Sequence, residues 1–203
     1  RTLTIDGGVY LSRATGVILR RLRIHDVLYG IYAERSGNVL IESCRLSGTA
    51  AAGAETGEGN GIHFWYCESP HIRDCSAERF ADAVYLSFTH GALIEQSRFE
   101  RNARYGFHTM YCQDNRLAGN TFAYNVAGCA IMFSNRLVLQ GNDFVHNRGS
   151  RTYGLLLRDC SDGEFRANRL VDNTIAVFMD GSNRNRLTGN LVEDNGWGIL
   201  LYS

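Results

Sequence analysis

A repeat of about 22 residues runs through the chain and constrains its fold more than any other feature. The segment YGFHTMYCQDNRLAGNTFAYNV, residues 105–126, shows it best, because segments that open in a similar way precede and follow it. These segments begin at Gly7, Tyr29, Asn60, Asp82, Tyr105, Ala127, Tyr153, Ile175 and Trp197. Extra residues are confined to single places, chiefly 51–59, and inserts of that kind are typical of loops on a stacked scaffold.

Apolar residues recur at fixed positions inside each repeat. The third and fifth positions are apolar, as at Ile62 and Phe64, and this alternation indicates a strand with one buried face. Two further apolar columns, which contain Leu117 and Phe122, give three short strands per repeat. The Leu-x-x-Leu-x-Leu frame of a leucine-rich solenoid is missing, and no repeat shows a helical pattern. The sequence therefore predicts an all-β parallel β-helix that forms a single domain over residues 1–203.

Asparagines recur in the turns. One column holds Asn120, Asn142, Asn168 and Asn190, and a second holds Asn102, Asn125, Asn147, Asn173 and Asn195. Amides one repeat apart can bond each other and satisfy buried turn backbone, and Asn also tolerates the left-handed conformation of tight turns. We predict two asparagine ladders. Asn115 lies outside both columns, so its replacement is expected to cost little stability.

Composition excludes several classes of function. The formal net charge is zero, which argues against a nucleic-acid partner. No apolar run reaches membrane length, and no signal peptide is visible.

The sequence starts and stops in mid-repeat, so we interpret it as a fragment of a longer chain, and the missing signal peptide says nothing about compartment. The Gly-rich insertion 51–59 is interpreted as a surface loop rather than a phosphate cradle, because no helix follows it.

The positions of the cysteines indicate structural roles rather than a metal site. Cys44 and Cys75 take the same position on consecutive repeats, so their Cα atoms should lie about 4.8 Å apart, within disulfide range. A bridge formed in an oxidising compartment and two buried thiols are both open interpretations. Cys129 takes an inward position and is expected to be a small core residue. No C-x-x-C or H-x-x-x-H spacing occurs, which disfavours a structural zinc site.

The fourth and sixth positions of the first strand face outward and carry the candidate site. Met110 and Met132 are neighbours in one column, and His108 lies two residues before Met110, from where it is expected to lean toward the sulfurs. Two thioethers beside an imidazole suit Cu(I) better than Cu(II). His63, two repeats from His108, is the candidate for a nearby second contact. The alternative is a surface that faces a partner protein.

A carbohydrate-active protein is the alternative function. Rings such as Trp65 and Phe88 could stack on sugars along one face of the coil. Catalysis by such a protein needs two or more carboxylates, or a carboxylate with His or Arg, gathered at one place, but the outward columns supply mainly Glu34 and Asp180, which are far apart. This chain has His108 at the position of the aspartate in the alginate-epimerase motif Tyr-Gly-x-Asp-Pro-His. A polysaccharide-binding, lyase, epimerase or hydrolase function is thus kept as the alternative, and no enzymatic activity is expected.

Several segments in sequence order resemble the NosD family, periplasmic copper-binding maturation factors of nitrous oxide reductase. They lie at residues 57–67, 104–122, 130–144 and 153–160, and their specific elements are Asn-Gly-Ile-His at 60–63, Tyr-Gly-Phe-His-Thr-Met-Tyr at 105–111 and Ile-Met-Phe-Ser at 131–134. The resemblance extends from about Tyr29 to the C-terminus.

The resemblance implies a right-handed parallel β-helix of the carbohydrate-binding and sugar-hydrolase type that hydrolyses nothing. It further implies a periplasmic metallochaperone in denitrification that works with a membrane ABC transporter and with copper-delivery or reductase proteins. The residues expected to hold or hand over copper are His63, His108, Met110 and Met132.

Overall fold

The computed structural model describes residues 7–50 and 59–202. The insertion predicted at 51–59 lies outside these ranges except for Gly59. The described chain winds as a coil in which each turn, or rung, supplies one strand to each of three parallel sheets, and it contains no helix. The fold is therefore the predicted all-β parallel β-helix with rungs of about 22 residues.

The strands of the three sheets follow one another in rung order. The first sheet contains β1 Gly7–Ser12, β4 Tyr29–Glu34, β7 Asn60–Trp65, β10 Asp82–Ser87, β13 Tyr105–Met110, β16 Ala127–Met132, β19 Tyr153–Arg158, β22 Ile175–Asp180 and β25 Trp197–Tyr202. The second contains β2 Ile18–Arg20, β5 Leu40–Glu42, β8 His71–Arg73, β11 Leu93–Glu95, β14 Arg116–Ala118, β17 Val138–Gln140, β20 Glu164–Arg166 and β23 Arg186–Thr188. The third contains β3 Arg23–Val27, β6 Arg45–Gly48, β9 Ser76–Glu78, β12 Arg98–Glu100, β15 Thr121–Ala123, β18 Asp143–Val145, β21 Arg169–Val171 and β24 Leu191–Glu193.

The pairing register follows the predicted columns. Met110 pairs with Met132 between β13 and β16. The register also continues across the insertion, because Ile31 of β4, before it, pairs with Ile62 of β7, after it. Because a slip of one residue would turn every side chain to the opposite face, this register fixes which residues face outward.

The interior is a stack of apolar layers. Phe99, Phe122 and Phe144 are fully buried, one per rung, and their ring centroids are 5.6 and 5.2 Å apart. Offset stacking of this kind adds to the stabilisation that comes from burying the rings. The predicted third apolar column thus has a stack of aromatic rings over three successive rungs.

The two asparagine ladders are confirmed. Asn120 Nδ2 donates to Asn142 Oδ1 at 3.0 Å, and Asn142 Nδ2 donates to Asn168 Oδ1 at 3.1 Å. In the second ladder the corresponding bond from Asn147 to Asn173 is 2.9 Å. The same oxygens accept backbone N–H groups, as Asn142 does from Asn120 at 3.0 Å. The ladders therefore satisfy both side chains and turn backbone inside the coil.

Two expectations about asparagine were wrong. The left-handed residue of these turns precedes the ladder residue and is of varied type, such as Gly119 with φ 65 or Tyr124 with φ 57. Asn115 is fully buried, accepts the N–H of Ala92 at 2.8 Å and donates to the carbonyl of Thr89 at 3.2 Å. It satisfies turn backbone as the ladder residues do, so its replacement cannot be cheap.

The first strand of a rung departs from strict alternation at its second position. A Cβ on Gly106 would lie 2.8 Å from the Gly128 carbonyl oxygen and 2.9 Å from Cδ1 of Phe122, so this position faces the core. The next residue, Phe107, is also fully buried. With two successive inward positions, the first position of the strand turns to the same outward face as the fourth, and Asp82 occupies it on β10.

Candidate functional site

A column of aromatic rings follows the outward face of the first sheet. The ring centroids of Tyr32 and His63 are 4.7 Å apart, those of His63 and Tyr85 4.7 Å, and those of Tyr85 and His108 4.5 Å. Tyr85 is nearly parallel to His108, with 21° between the planes. The ring of Tyr85 therefore separates the two histidines.

His108 is held by a carboxylate that the sequence analysis missed. Its Nδ1 lies 2.9 Å from Oδ2 of Asp82, and only 7% of the residue is exposed. Arg104 donates to the same carboxylate, from Nη2 to Oδ2 at 2.8 Å and from Nε to Oδ1 at 3.2 Å. The Asp82 side chain is fully buried, so the guanidinium supplies the opposite charge that a buried carboxylate needs.

Each histidine leaves one ring nitrogen free. Asp82 accepts a hydrogen bond from Nδ1 of His108, which leaves Nε2 as the lone-pair nitrogen of the neutral ring, and that buried atom has no partner among the described residues. His63 Nε2 is also buried without a described partner, and its Nδ1 lies 3.4 Å from Nδ2 of Asn60. Burial lowers the pKa of His63 to about 4, although Asp82 opposes the shift, so this ring is neutral near pH 7.

The structure brings the two methionines together and holds His108 by its bond to Asp82. Met110 and Met132 are half-buried partners on adjacent rungs, and Tyr85 donates its hydroxyl to Met110 Sδ at 3.5 Å. The bond to Asp82 holds Nδ1 of His108 toward the start of its strand, and a lean of the ring toward the sulfurs stays a prediction. Within residues 7–50 and 59–202, no three His, Cys, Asp or Glu side chains form a group that could hold a metal ion.

A shallow cavity opens beside His63. It has a volume of about 280 Å³ and is lined by Tyr32, His63, Trp65, Tyr85 and Ser87. Burial raises the pKa of Tyr32 to about 12, so its phenol stays protonated at neutral pH. The cavity thus presents hydroxyl groups and an imidazole next to an indole ring.

A second column of rings, here called the outer ring stack, consists of Tyr66, Phe88, Tyr111 and Phe133. Their centroids are 4.6, 5.0 and 5.2 Å apart and their planes differ by at most 13°. All four residues have a left-handed backbone, with φ between 48° and 57°. The faces of Phe88 and Tyr111 are covered by neighbouring rings, so they cannot stack on sugars as the alternative function requires.

Cys44 and Cys75 are brought together as predicted, with both thiols free and buried. The N–H of Cys44 donates to Cys75 Sγ at 3.4 Å, and each thiol donates to a backbone carbonyl two residues earlier. Burial raises the pKa of Cys75 to about 11, which disfavours the thiolate. These thiols fill the place that Asn takes in later rungs, and the bridge between them stays a prediction.

Solved structures share this fold at low sequence identity. An exopolygalacturonase from Thermotoga maritima has a TM-score of 0.76 and 14% identity over 96% of this chain and 52% of its own. A mannuronan C-5 epimerase A-module from Azotobacter vinelandii has a TM-score of 0.70 and 13% identity over 93% of this chain and 62% of its own. The tailspike protein of an E. coli bacteriophage, solved in complex with a pentasaccharide, has a TM-score of 0.66 and 14% identity over 93% of this chain and 40% of its own.

The chain spans less than two thirds of each of these proteins, and the likeness shows the fold alone. No curated protein is similar enough in sequence to match it. Within the described ranges the structure has no helix of a length and hydropathy that would cross a lipid bilayer. The family model described as "Periplasmic copper-binding protein (NosD)" matches residues 51–203, which is more than half of the chain. The chain therefore belongs to the NosD family.

Proposed function

We propose that this protein binds Cu(I) on the outward face of the first sheet and hands it over for the maturation of nitrous oxide reductase. The observation that carries the proposal is Nε2 of His108, which is buried without a partner among the described residues and belongs to the same strand as Met110. Met132 adds a second thioether on the next rung. Sulfur and imidazole ligands favour Cu(I) over Cu(II), and an open set of so few ligands releases its metal readily. Delivery suits such a site better than storage.

The family description supports the compartment and the metal of this proposal. We place the protein in the periplasm, as a metallochaperone in denitrification. Its proposed partners are a membrane ABC transporter and the proteins that deliver copper or receive it in the reductase. These partners follow from the resemblance of the chain to its family.

The test is a competition titration of Cu(I) against a chromophoric chelator. The double variant Met110→Leu/Met132→Leu and the variant His108→Ala should each bind Cu(I) more weakly than the wild type. Met179→Leu is the matched control for the thioethers, because Met179 is buried in the core. His25→Ala is the control for the imidazole, because His25 lies on the surface with 76% of its side chain exposed.

The proposal is wrong if the two site variants keep wild-type affinity and still support maturation of the reductase. In that case His108, Met110 and Met132 would belong to a partner-facing surface, and the copper site would lie elsewhere. Reduced affinity in the controls as well would indicate a loss of folding rather than of ligands.

No enzymatic turnover is expected. The structure groups a carboxylate, Asp82, with Arg104 and His108 on the outward face, which the sequence did not predict, but these two side chains already occupy its oxygens. Glycoside hydrolysis requires a pair of carboxylates that flank the substrate. Turnover of pectin or alginate that is abolished by Asp159→Asn or Asp180→Asn would overturn this expectation.

Polysaccharide binding is the second candidate function. It is favoured by the cavity beside His63, where the Trp65 indole lies next to the hydroxyls of Tyr32 and Tyr85. The structural relatives include proteins named for their action on polygalacturonate and mannuronan. Calorimetric titration with oligogalacturonate and oligomannuronate tests it. Binding that Trp65→Ala abolishes, in a protein that binds no Cu(I), would favour this candidate.

A further inference from the structure

We infer that Asp82 and Asn60 fix opposite tautomers in the two histidines of the ring column, so that His108 presents a lone pair and His63 presents a proton. Asp82 and Asn60 are register partners at the first position of β10 and β7. The copper-binding consequence of this inference rests on the proposed function, but the tautomers themselves do not.

The His108 tautomer follows from its partner. An ionised carboxylate only accepts hydrogen bonds, and Asp82 is paired with the guanidinium of Arg104, so the Nδ1 of His108 must carry the proton. In the neutral ring the remaining nitrogen, Nε2, then has an unshared electron pair. It is buried and lacks a described hydrogen-bond partner, which is the arrangement of a histidine oriented to ligate a metal.

The His63 tautomer follows in the same way from a different partner. Asn60 directs its amide nitrogen at Nδ1 of His63, 3.4 Å away, and an amide nitrogen only donates. His63 Nδ1 therefore accepts, and the proton of the neutral ring lies on Nε2. That nitrogen is also buried without a described partner. The His63 ring lines the cavity formed with Tyr32 and Ser87, to which it would bring an N–H donor for an oxygen atom of a bound molecule.

This division of roles narrows the set of metal ligands. A metal ion requires a lone pair, so His108 can ligate through Nε2 whereas His63 cannot in its resting tautomer. The expectation that His63 is a second copper contact is replaced by a role as a donor. Asp82 and Asn60 are accordingly positioning residues, since neither is placed among the ligands.

Long-range ¹H–¹⁵N NMR of the metal-free, histidine-labelled protein tests the assignment directly. The signals of His63 and His108 are identified with the variants His63→Gln and His108→Gln. The expected result is a protonated Nδ1 in His108 and a protonated Nε2 in His63. The same tautomer in both rings would overturn the inference.

A single substitution should change His63 from a hydrogen-bond donor into a metal ligand. Asn60→Asp replaces the donor by an acceptor, so the proton of His63 should move to Nδ1 and free Nε2 as a ligand. On addition of Cu(I), the His63 signals should then respond in the variant but not in the wild type. Asp82→Asn is the reverse experiment, and loss of this second-sphere partner should weaken Cu(I) binding by about 10- to 100-fold.

The two proposals fail in distinguishable ways. Opposite tautomers without any binding of Cu(I) would overturn the proposed function and leave the tautomer assignment standing. Binding of Cu(I) that perturbs His63 and His108 equally in the wild type would retain the function and overturn the division of roles.

Discussion

Asp82 is a buried carboxylate whose oxygens are shared between Arg104 and His108. Removal of one member of such a group leaves a charged or polar partner buried and unpaired, which costs more than the interaction itself contributes. Removal of an asparagine inside a turn likewise leaves buried hydrogen-bonding groups unpaired. At the scale of single residues, the buried carboxylate of Asp82 and the ladder asparagines are therefore held by specific protein partners rather than by solvent.

Replacement of a ladder asparagine should be costly. Asn142→Leu leaves the N–H of Asn120 and the carbonyl of Leu117 unpaired in the interior and should reduce the free energy of unfolding by about 1 to 3 kcal/mol. Asn115→Leu should cost a similar amount. Asn183→Leu, on the surface, is the control and should change it by less than about 0.5 kcal/mol. Urea denaturation measures all three, and equal losses in the three variants would contradict the ladder.

His63 should make the protein sensitive to acid. Burial lowers its pKa from 6.5 to about 4, so the unfolded state binds a proton in this window more readily than the folded state. The contribution of His63 to stability is full above pH 6.5 and is lost as the pH falls toward 4. In His63→Gln, the free energy of unfolding should fall less between pH 7 and pH 4.5 than in the wild type. His25→Gln is the control, and an unchanged pH dependence in His63→Gln would contradict the assignment.

The sequence columns predicted which side chains share the outward face but not how they are held. His108 and Met110 lie where period-two alternation places them. Asp82 was missed because alternation, extended backward from the third position, turns the first position inward. The two successive inward positions at Gly106 and Phe107 reverse it, and such a local break has no signal in hydropathy alone.

At the scale of elements, the strands are too short to be stable alone, since most have three residues and the longest have six. Their stability comes from stacking on the neighbouring rung, through ladder hydrogen bonds and through columns of like side chains. Left-handed residues at the turns let the chain change direction within a few residues, and their N–H groups bond to the next rung, as Phe88 does to the Met110 carbonyl at 3.1 Å.

Two phenylalanines in stacked columns should differ sharply in their contribution to stability. Phe122 is fully buried between Phe99 and Phe144, so Phe122→Ala should cost about 3 to 5 kcal/mol. Phe133 belongs to the outer ring stack and is 39% exposed, so Phe133→Ala should cost mainly its stacking, about 0.5 to 1.5 kcal/mol. Thermal and urea denaturation measure the difference. A similar loss in both variants would show that the outer ring stack bears as much of the stability as the core.

At the scale of the whole molecule, each rung contacts chiefly the rungs beside it, and this makes the protein a one-dimensional array. The periodicity of the sequence was sufficient to predict that array, because every rung needs apolar residues at the same inward positions. It could not predict the tie between Asp82 and His108, which joins residues of two different rungs through a side-chain hydrogen bond.

Deletion of one complete rung should leave a folded protein. Removal of residues 175–196 joins Thr174 to Trp197 in the same register and should retain the cooperative unfolding transition and the affinity for Cu(I). Removal of residues 105–126 joins Arg104 to Ala127 and should also fold, but without His108 and its affinity for Cu(I). Circular dichroism and Cu(I) competition distinguish the cases. An unfolded product of both deletions would show that the rungs are not interchangeable units.

Removal of one ring from the outer ring stack would create a binding slot for a flat molecule. The ring of Phe88 fills the gap between Tyr66 and Tyr111, with a centroid 4.6 Å from one and 5.0 Å from the other. Its backbone, at φ 48, suits glycine, so Phe88→Gly would remove the ring and keep the turn. The space left is one aromatic ring thick, is bounded above and below by tyrosines and is open at the side. A protein whose own rings are stacked like the bases of a nucleic acid would then offer what a duplex offers to an intercalator, a slot of fixed height for a flat molecule.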